Sequence, residues 1–161
     1  MNQIKTPLLG LLFLLLQTTL LNLLSIKGIK PDLVILFIIA RALKEGPAAG
    51  VAWGFGMGLV LDSVTGGLAG LGALSYSVAG FIGGKIGPGN SLTPLRYLLI
   101  VTICSLVSYT IFTYFLQPWD VTGWFMIIFT HTLPGVLYTL FLALAWAYSP
   151  FSHFYPGKDH A

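Results

Sequence analysis

Long apolar runs separated by short polar stretches follow one another along the whole chain. Several of them approach or exceed the roughly 18–20 apolar residues that cross a hydrocarbon core about 30 Å thick. We therefore predict an all-α integral membrane protein with one polytopic transmembrane domain over residues 1–150 and a short cytoplasmic tail over 151–161. The predicted helices lie at about Thr6–Ile26, Pro31–Leu43, Pro47–Val64, Leu71–Ile86, Leu95–Leu116 and Thr122–Tyr148.

The second predicted helix leaves the number of spans open between six and five. Its apolar run before Arg41 is short for a bilayer, so this segment either spans the membrane or re-enters it. Basic residues are enriched on the cytoplasmic side of membrane proteins. Both topologies place the C-terminus in the cytoplasm, and six spans place the N-terminus there as well. With six spans, the basic residues divide into Lys5, Arg41, Lys44, Lys85, Arg96 and Lys158 on one side and Lys27 and Lys30 on the other; with five spans, Lys5 stands alone outside.

Composition supports the membrane prediction and excludes several other classes. Hydrophobic residues make up 56% of the chain and charged residues 8%, against roughly 25% charged residues in soluble domains. The sequence pI is about 9.1, but the basic residues are scattered singly between apolar runs, so we expect no nucleic-acid partner. Cys104 is the one cysteine, which excludes a disulfide framework and a cysteine-based metal site.

Glycines recur at a spacing of four residues in the third predicted helix. Gly46, Gly50, Gly54 and Gly58 advance about 40° per step around a helix, so they form an inclined groove that another helix can approach closely. One interpretation is packing inside the bundle, with the glycine-rich fourth helix as the natural partner. The other is a groove for a ligand or for the helix of another subunit. Further small residues widen this surface: Ala48, Ala49, Ala52 and Gly56.

Asp62 continues the same spacing near the end of the third predicted helix. A carboxylate within a membrane costs several kcal/mol unless it is paired or reaches water, and the negative end of the helix dipole disfavours it further. One hypothesis is that Lys30, Ser63 or Thr65 satisfies this carboxylate at the outer interface. The alternative is an interfacial turn residue, followed by the turn that contains Gly66 and Gly70.

Other single residues have local explanations. Pro31 is predicted in the first turn of the second helix, where a missing N–H is tolerated. Asp32 suits the same helix N-terminus, where it can accept backbone N–H bonds. Arg41 is predicted to extend its charge to the cytoplasmic interface. Pro134 is predicted to kink the last helix because proline cannot donate a hydrogen bond within a helix.

No pattern of catalytic or metal-binding residues emerges from the sequence. Phosphate-binding loops, metalloprotease and hydrolase motifs are absent, and no two membrane carboxylates are placed for acid–base work. We expect neither enzymatic activity nor a cofactor, and His131 is predicted to form a hydrogen bond within the bundle. The polar side chains available to line a ligand cavity are few: Gln17, Asn22, Asp62, Ser75, Ser77, Tyr109, Thr113 and His131.

Residues 30–86 resemble the rod shape-determining protein MreD family. The resemblance rests on a set of short motifs that are weak singly and specific together. They are Pro31-Asp32-Leu33, the basic Arg41 and Lys44, Gly46-Pro47, the Gly50 to Gly58 series closing on Leu59-Val60-Leu61-Asp62, Gly66-Gly67, Leu71-Gly72 and Gly83-Gly84-Lys85.

The resemblance implies a role in bacterial cell shape at the inner membrane. A member of this family is expected to bind the bitopic protein MreC and to act with MreB, the RodA glycosyltransferase and a penicillin-binding transpeptidase in peptidoglycan synthesis. It also implies a helical bundle similar to the substrate-binding subunits of energy-coupling-factor vitamin transporters. Transport of a small molecule is therefore the alternative function, although the Leu-rich first helix lacks the Ala-rich face of those subunits. Self-association stays open.

Overall fold

Six α-helices and one π-helical turn form the regular structure of the computed structural model, which describes residues 2–23, 31–66, 68–87, 93–116 and 128–148. No β-strand occurs among these residues, which confirms the all-α prediction for them. The helices are α1 (Asn2–Leu23), α2 (Leu33–Glu45), α3 (Pro47–Thr65), α4 (Leu71–Ile86), α5 (Pro94–Leu116) and α6 (Leu133–Tyr148), and the π turn (Ile128–Thr132) directly precedes α6.

Two of these helices are long and apolar enough to cross a membrane by themselves. They are Pro47–Thr65, with a mean hydropathy of 1.3, and Pro94–Phe115, with a mean hydropathy of 2.0. Thr6–Thr19 and Leu133–Ala145 are shorter apolar stretches within α1 and α6. The structure contains no bilayer, so the choice between five and six spans remains a prediction.

Helix α2 lies at the centre of the bundle and contacts each of the five other α-helices. Its residues from Val34 to Ile39 are all at most 5% exposed, so apolar side chains surround its whole circumference. Thirteen residues give a helix about 20 Å long, which is shorter than a hydrocarbon core of about 30 Å. The apolar run before Arg41, which is short for a membrane span, therefore forms a core helix enclosed by the other helices.

Helices α3 and α4 are antiparallel and form the most extensive helix pair of the bundle. A Cβ atom added to Gly54 would lie 2.6 Å from the backbone carbonyl carbon of Tyr76, and one added to Gly58 would lie 2.6 Å from Cα of Ala73. One added to Gly50 would lie 2.8 Å from the carbonyl carbon of Gly80. The two backbones are in direct contact, so these positions cannot hold a larger residue unless the helices separate.

Gly46 has a different role from the other glycines of the series. It links α2 to α3 with φ = 92° and ψ = 179°, and no atom lies within 4 Å of a Cβ built there. A positive φ of this size is readily adopted only by glycine. Gly46 therefore makes the turn between two helices, whereas Gly50, Gly54 and Gly58 form the packed surface.

The last helix departs from α-helical geometry close to the position predicted for its kink. The π turn Ile128–Thr132 ends two residues before Pro134. A proline leaves one carbonyl of the preceding turn without its usual donor, and π turns commonly occur at such interruptions. Residues 122–127 of the predicted sixth helix lie outside the described residues, and so does the side chain of His131.

Candidate functional site

Two aspartates, Asp32 and Asp62, are buried in the bundle, and each is 7% exposed. Each lies next to the N-terminus of a helix, α2 and α4 respectively. The first N–H groups of a helix have no partner within it and need acceptors from elsewhere. The two sites can therefore be compared by asking which groups satisfy those N–H donors.

Asp62 of α3 binds the backbone at the start of α4. Its Oδ2 accepts hydrogen bonds from the N–H groups of Gly70 at 2.9 Å and Ala73 at 3.2 Å. Both carboxylate oxygens lie 3.0 Å from the N–H of Gly72. The remaining early donor, the N–H of Leu71, bonds to the carbonyl of Leu68 at 3.1 Å. The positive end of α4 thus offsets the unfavourable position of this anion near the end of α3.

The partners proposed for Asp62 from the sequence need correction. The hydroxyl of Ser63 donates to the carbonyl of Leu59 at 2.8 Å, and that of Thr65 donates to the carbonyl of Leu61 at 2.9 Å. The hypothesis that Ser63 or Thr65 satisfies Asp62 is therefore wrong, because these hydroxyls bond to their own helix. Lys30 lies outside the described residues.

The turn between α3 and α4 contains the two glycines predicted there. Gly66 ends α3 with φ = 66°, and its N–H bonds to the carbonyl of Asp62 at 3.1 Å. Gly70 precedes α4 with φ = 96°. Both conformations are left-handed, and the second one turns the N–H of Gly70 toward the Asp62 carboxylate.

Asp32 accepts a backbone N–H bond as predicted, but it is the N-cap of α2 and precedes the first turn in which the sequence placed it. Its Oδ1 accepts a hydrogen bond from the N–H of Ile35 at 3.1 Å, which is the usual geometry of an aspartate cap. Helix α2 starts at Leu33, so the prediction that Pro31 occupies its first turn is wrong. Pro31 instead precedes the extended cap residue, and its ring is buried.

Long-range hydrogen bonds complete the N-terminus of α2. Gln17 of α1 receives the N–H of Leu33 on Oε1 at 2.9 Å and donates from Nε2 to the carbonyl of Pro31 at 3.2 Å. Thr139 of α6 accepts the N–H of Asp32 at 3.0 Å. Side chains from two distant helices thus hold the start of the central helix.

The second carboxylate oxygen of Asp32 binds Tyr76 of α4. The tyrosine hydroxyl donates to Oδ2 at 2.6 Å, a short distance typical of a hydrogen bond to a charged acceptor. No pattern in the sequence points to Tyr76 or Thr139 as partners of Asp32. No local spacing links Asp32 to residues 44 and 107 positions away, so only the fold brings them together.

A cavity of about 260 Å³, lined by both polar and aromatic side chains, opens beside this cluster. Three of the side chains that were expected to be available for a ligand, Gln17, Ser75 and Tyr109, line it together with Asp32. Asp62 belongs to a separate place in the bundle and does not line the cavity. The described residues that line it are Gln17, Asp32, Ser75, Tyr76, Ser108, Tyr109 and Phe112.

Arg41 lies near the opposite end of α2. Its guanidinium forms an ion pair with Glu45 one turn further along, and the indole N–H of Trp53 donates to Glu45 at 3.4 Å. The prediction for Arg41 concerned its position relative to the membrane, which stays a prediction. Among the residues that the structure describes, no group of three His, Cys, Asp or Glu side chains could hold a metal ion.

The fold and these sites define a class of protein: a helical membrane protein with an enclosed central helix and aspartates that cap the backbone of its helices. Comparison with known families gives one match, described as rod shape-determining protein MreD, over residues 2–155. Because this match covers nearly the whole chain, the protein belongs to the MreD family, whose role is rod shape determination. No curated protein and no solved structure matched the chain.

Proposed function

We propose that this chain is a non-enzymatic scaffold of the elongation (Rod) complex in the bacterial inner membrane. In this proposal it binds MreC and helps couple the MreB cytoskeleton to lateral peptidoglycan synthesis by RodA and a penicillin-binding transpeptidase. Both termini lie in the cytoplasm. The observation that supports the proposal most strongly is the family match over residues 2–155.

The packing of α3 limits where a partner helix can bind. The surface formed by Gly50, Gly54 and Gly58 is filled by α4 of the same chain, so it has no room for a further helix. A second series with the same spacing, Ala48, Ala52 and Gly56, is exposed on α3, and nothing lies within 4 Å of a Cβ added at Gly56. We place the contact with the transmembrane helix of MreC on this outer series, where the backbone of a second helix can approach without displacing α4.

Co-purification of the full-length chain with MreC from the same organism tests the proposal. We expect the unaltered chain to retain MreC in detergent and to restore rod shape in cells that lack their own MreD. Failure of both would contradict the scaffold function. Gly56→Leu should reduce the retained MreC several-fold, because its side chain would occupy the space that the MreC helix needs, while a Cβ at this position has no described atom within 4 Å.

Matched variants separate loss of the partner from loss of the fold. Ala145→Leu introduces a leucine at an exposed position of α6 and should leave MreC retention unchanged. Gly54→Leu forces a side chain into the backbone of Tyr76 and should lower the melting temperature of the isolated chain, whereas Gly56→Leu should not. Full MreC retention by Gly56→Leu would contradict the location on the outer series, while the scaffold function would still rest on the unaltered chain.

A second candidate function is substrate binding within a small-molecule transporter, and the cavity beside Asp32, which combines polar and aromatic side chains, favours it. A bundle similar to the substrate-binding subunits of energy-coupling-factor transporters is part of this proposal. Such a subunit must associate with an ATP-hydrolysing transducer. Recovery of ATPase subunits instead of MreC in the same co-purification would support transport, and recovery of MreC alone would contradict it.

A further inference from the structure

The cavity beside α2 has an unusual charge for a membrane bundle. Among the described residues that line it, Asp32 alone has a formally charged side chain, and the others are neutral polar or aromatic. The carboxylate accepts hydrogen bonds from the hydroxyl of Tyr76 and the backbone N–H groups of Ile35 and Val34, all of which are neutral donors. An anion in such a site has a high desolvation cost unless a cation accompanies it.

The carboxylate also has unused acceptor capacity. A carboxylate offers about four lone-pair positions, and the donors that face Asp32 are the hydroxyl of Tyr76 at 2.6 Å and the N–H groups of Ile35 and Val34, the first of these at 3.1 Å. By contrast, both ends of the Gln17 amide already form hydrogen bonds, its oxygen with the N–H of Leu33 and its nitrogen with the carbonyl of Pro31. The hydroxyl of Ser75 donates to the carbonyl of Gly72 at 3.1 Å. The position in the cavity with the greatest capacity to attract a ligand is therefore Asp32.

Aromatic side chains make up much of the rest of the wall, namely Tyr76, Tyr109 and Phe112. Aromatic faces attract cations, and the combination of aromatic rings with a carboxylate suits ammonium groups. A cavity of about 260 Å³ lies just below the roughly 300–1,000 Å³ that is usual for ligand pockets, so it suits a small ligand.

We propose that this cavity binds a small organic ammonium ion, with its charge against the Asp32 carboxylate and its carbon atoms against the aromatic wall. The ammonium group belongs either to a free amine or to the headgroup of an ethanolamine-type lipid. This inference is independent of both candidate functions, because it requires binding and neither MreC association nor transport.

Thermal unfolding of the purified full-length chain in a detergent without amine groups tests the proposal with choline as the probe. Choline should raise the melting temperature in a concentration-dependent way, because a ligand that binds only the folded state stabilises it. Dimethylbutanol, which has the shape of choline without its charge, should give no comparable shift. Equal shifts for the two compounds, or no shift with choline, would overturn the proposal.

Two matched substitutions locate the binding. Asp32→Asn keeps the shape of the side chain and a capping oxygen, and it should weaken choline binding about tenfold or more, because a charge-assisted contact is lost. Asp62→Asn makes the same change at the other equally buried aspartate and should leave choline affinity unchanged. Unchanged affinity in Asp32→Asn would overturn the assignment, and so would an equal loss in both variants.

Lipid nanodiscs distinguish the two sources of the ammonium group. If ethanolamine lipid fills the cavity, the choline shift should be present in phosphatidylglycerol nanodiscs and reduced in nanodiscs that contain phosphatidylethanolamine. If a free amine is the ligand, the shift should be the same in both. Absence of a choline shift in phosphatidylglycerol nanodiscs would overturn the proposal for either source.

Discussion

Asp32 and Asp62 are buried to the same extent and serve the same type of backbone donor, yet their surroundings differ. Asp62 by itself satisfies three N–H groups at the start of α4, all within eleven residues of it. The start of α2 is satisfied by Asp32, Gln17 and Thr139, which come from different parts of the chain. The Asp62 carboxylate is enclosed by one helical hairpin, whereas the Asp32 carboxylate joins several helices and borders a cavity.

This difference gives the two aspartates different roles. Asp62 has a local structural role, whereas Asp32 can also contact a ligand. At Asp62 the donors are fixed backbone groups at the start of α4, so the carboxylate has a defined structural purpose. At Asp32 one of the donors is a side-chain hydroxyl, that of Tyr76, and polar and aromatic side chains line the cavity beside it. Equal burial is therefore not enough to assign equal function to two intramembrane acids.

The largest expected effect is that of Asp62→Ala. It leaves the N–H groups of Gly70, Gly72 and Ala73 without their acceptor, and an unsatisfied buried donor costs about 1–3 kcal/mol. We expect the free energy of unfolding, measured by denaturant titration in mixed micelles, to fall by about 3 kcal/mol or more. Asp62→Asn retains one acceptor oxygen and should lose less. Equal stability of Asp62→Ala and the unaltered chain would contradict the capping role.

Asp32→Ala should have the next largest effect. It removes the acceptor for Ile35 and for Tyr76. Gln17 still accepts the N–H of Leu33, and Thr139 still accepts the N–H of residue 32. The expected loss in the same titration is about 2 kcal/mol. If Asp32→Ala lost more stability than Asp62→Ala, the comparison would be contradicted, because Asp62 satisfies its helix start alone and Asp32 shares this role with other side chains.

Tyr76→Phe isolates the contact that makes the two aspartates different. It removes the donor at 2.6 Å from Asp32 while keeping the ring, and the expected loss is about 1.5 kcal/mol, typical of a hydrogen bond to a charged group. Tyr138→Phe on half-buried Tyr138 of α6 makes the same chemical change outside this cluster. An equal effect of both substitutions on the unfolding free energy would show that the Asp32 contact contributes nothing specific.

Thr139→Val should have the smallest effect of the four substitutions. It removes the acceptor of the Asp32 N–H and the donor to the carbonyl of Gly135, bonds of 3.0 Å and 2.9 Å. We expect the unfolding free energy to fall by about 1 kcal/mol. Thr139→Ser keeps the hydroxyl and is the control. If the serine variant lost as much as the valine variant, packing of the methyl group would explain the loss and the link between α6 and α2 would be unsupported.

The sequence predicted those features that depend on neighbours along one helix. Four-residue spacing identified Gly50, Gly54 and Gly58 as one close-packing surface, and the position of Asp32 before an apolar run identified an acceptor of backbone N–H bonds. The partners of Asp62 were not predicted, because backbone N–H groups exist at every residue and have no sequence signature. The contact of Tyr76 with Asp32 and the bond from Asp32 to Thr139 depend on tertiary packing, which local patterns do not encode.

The hydrogen bonds at the two helix starts also imply an order of assembly during synthesis. Among the described residues, the hydrogen-bond donors to Asp62 all lie in the hairpin of α3 and α4, so this hairpin can close as soon as α4 has left the ribosome. The backbone of Asp32 must wait for Thr139, 107 residues further along the chain. The last of the hydrogen bonds at the start of the central helix therefore forms only after α6 has been inserted, and a nascent chain that stops before α6 has its hairpin but lacks this bond.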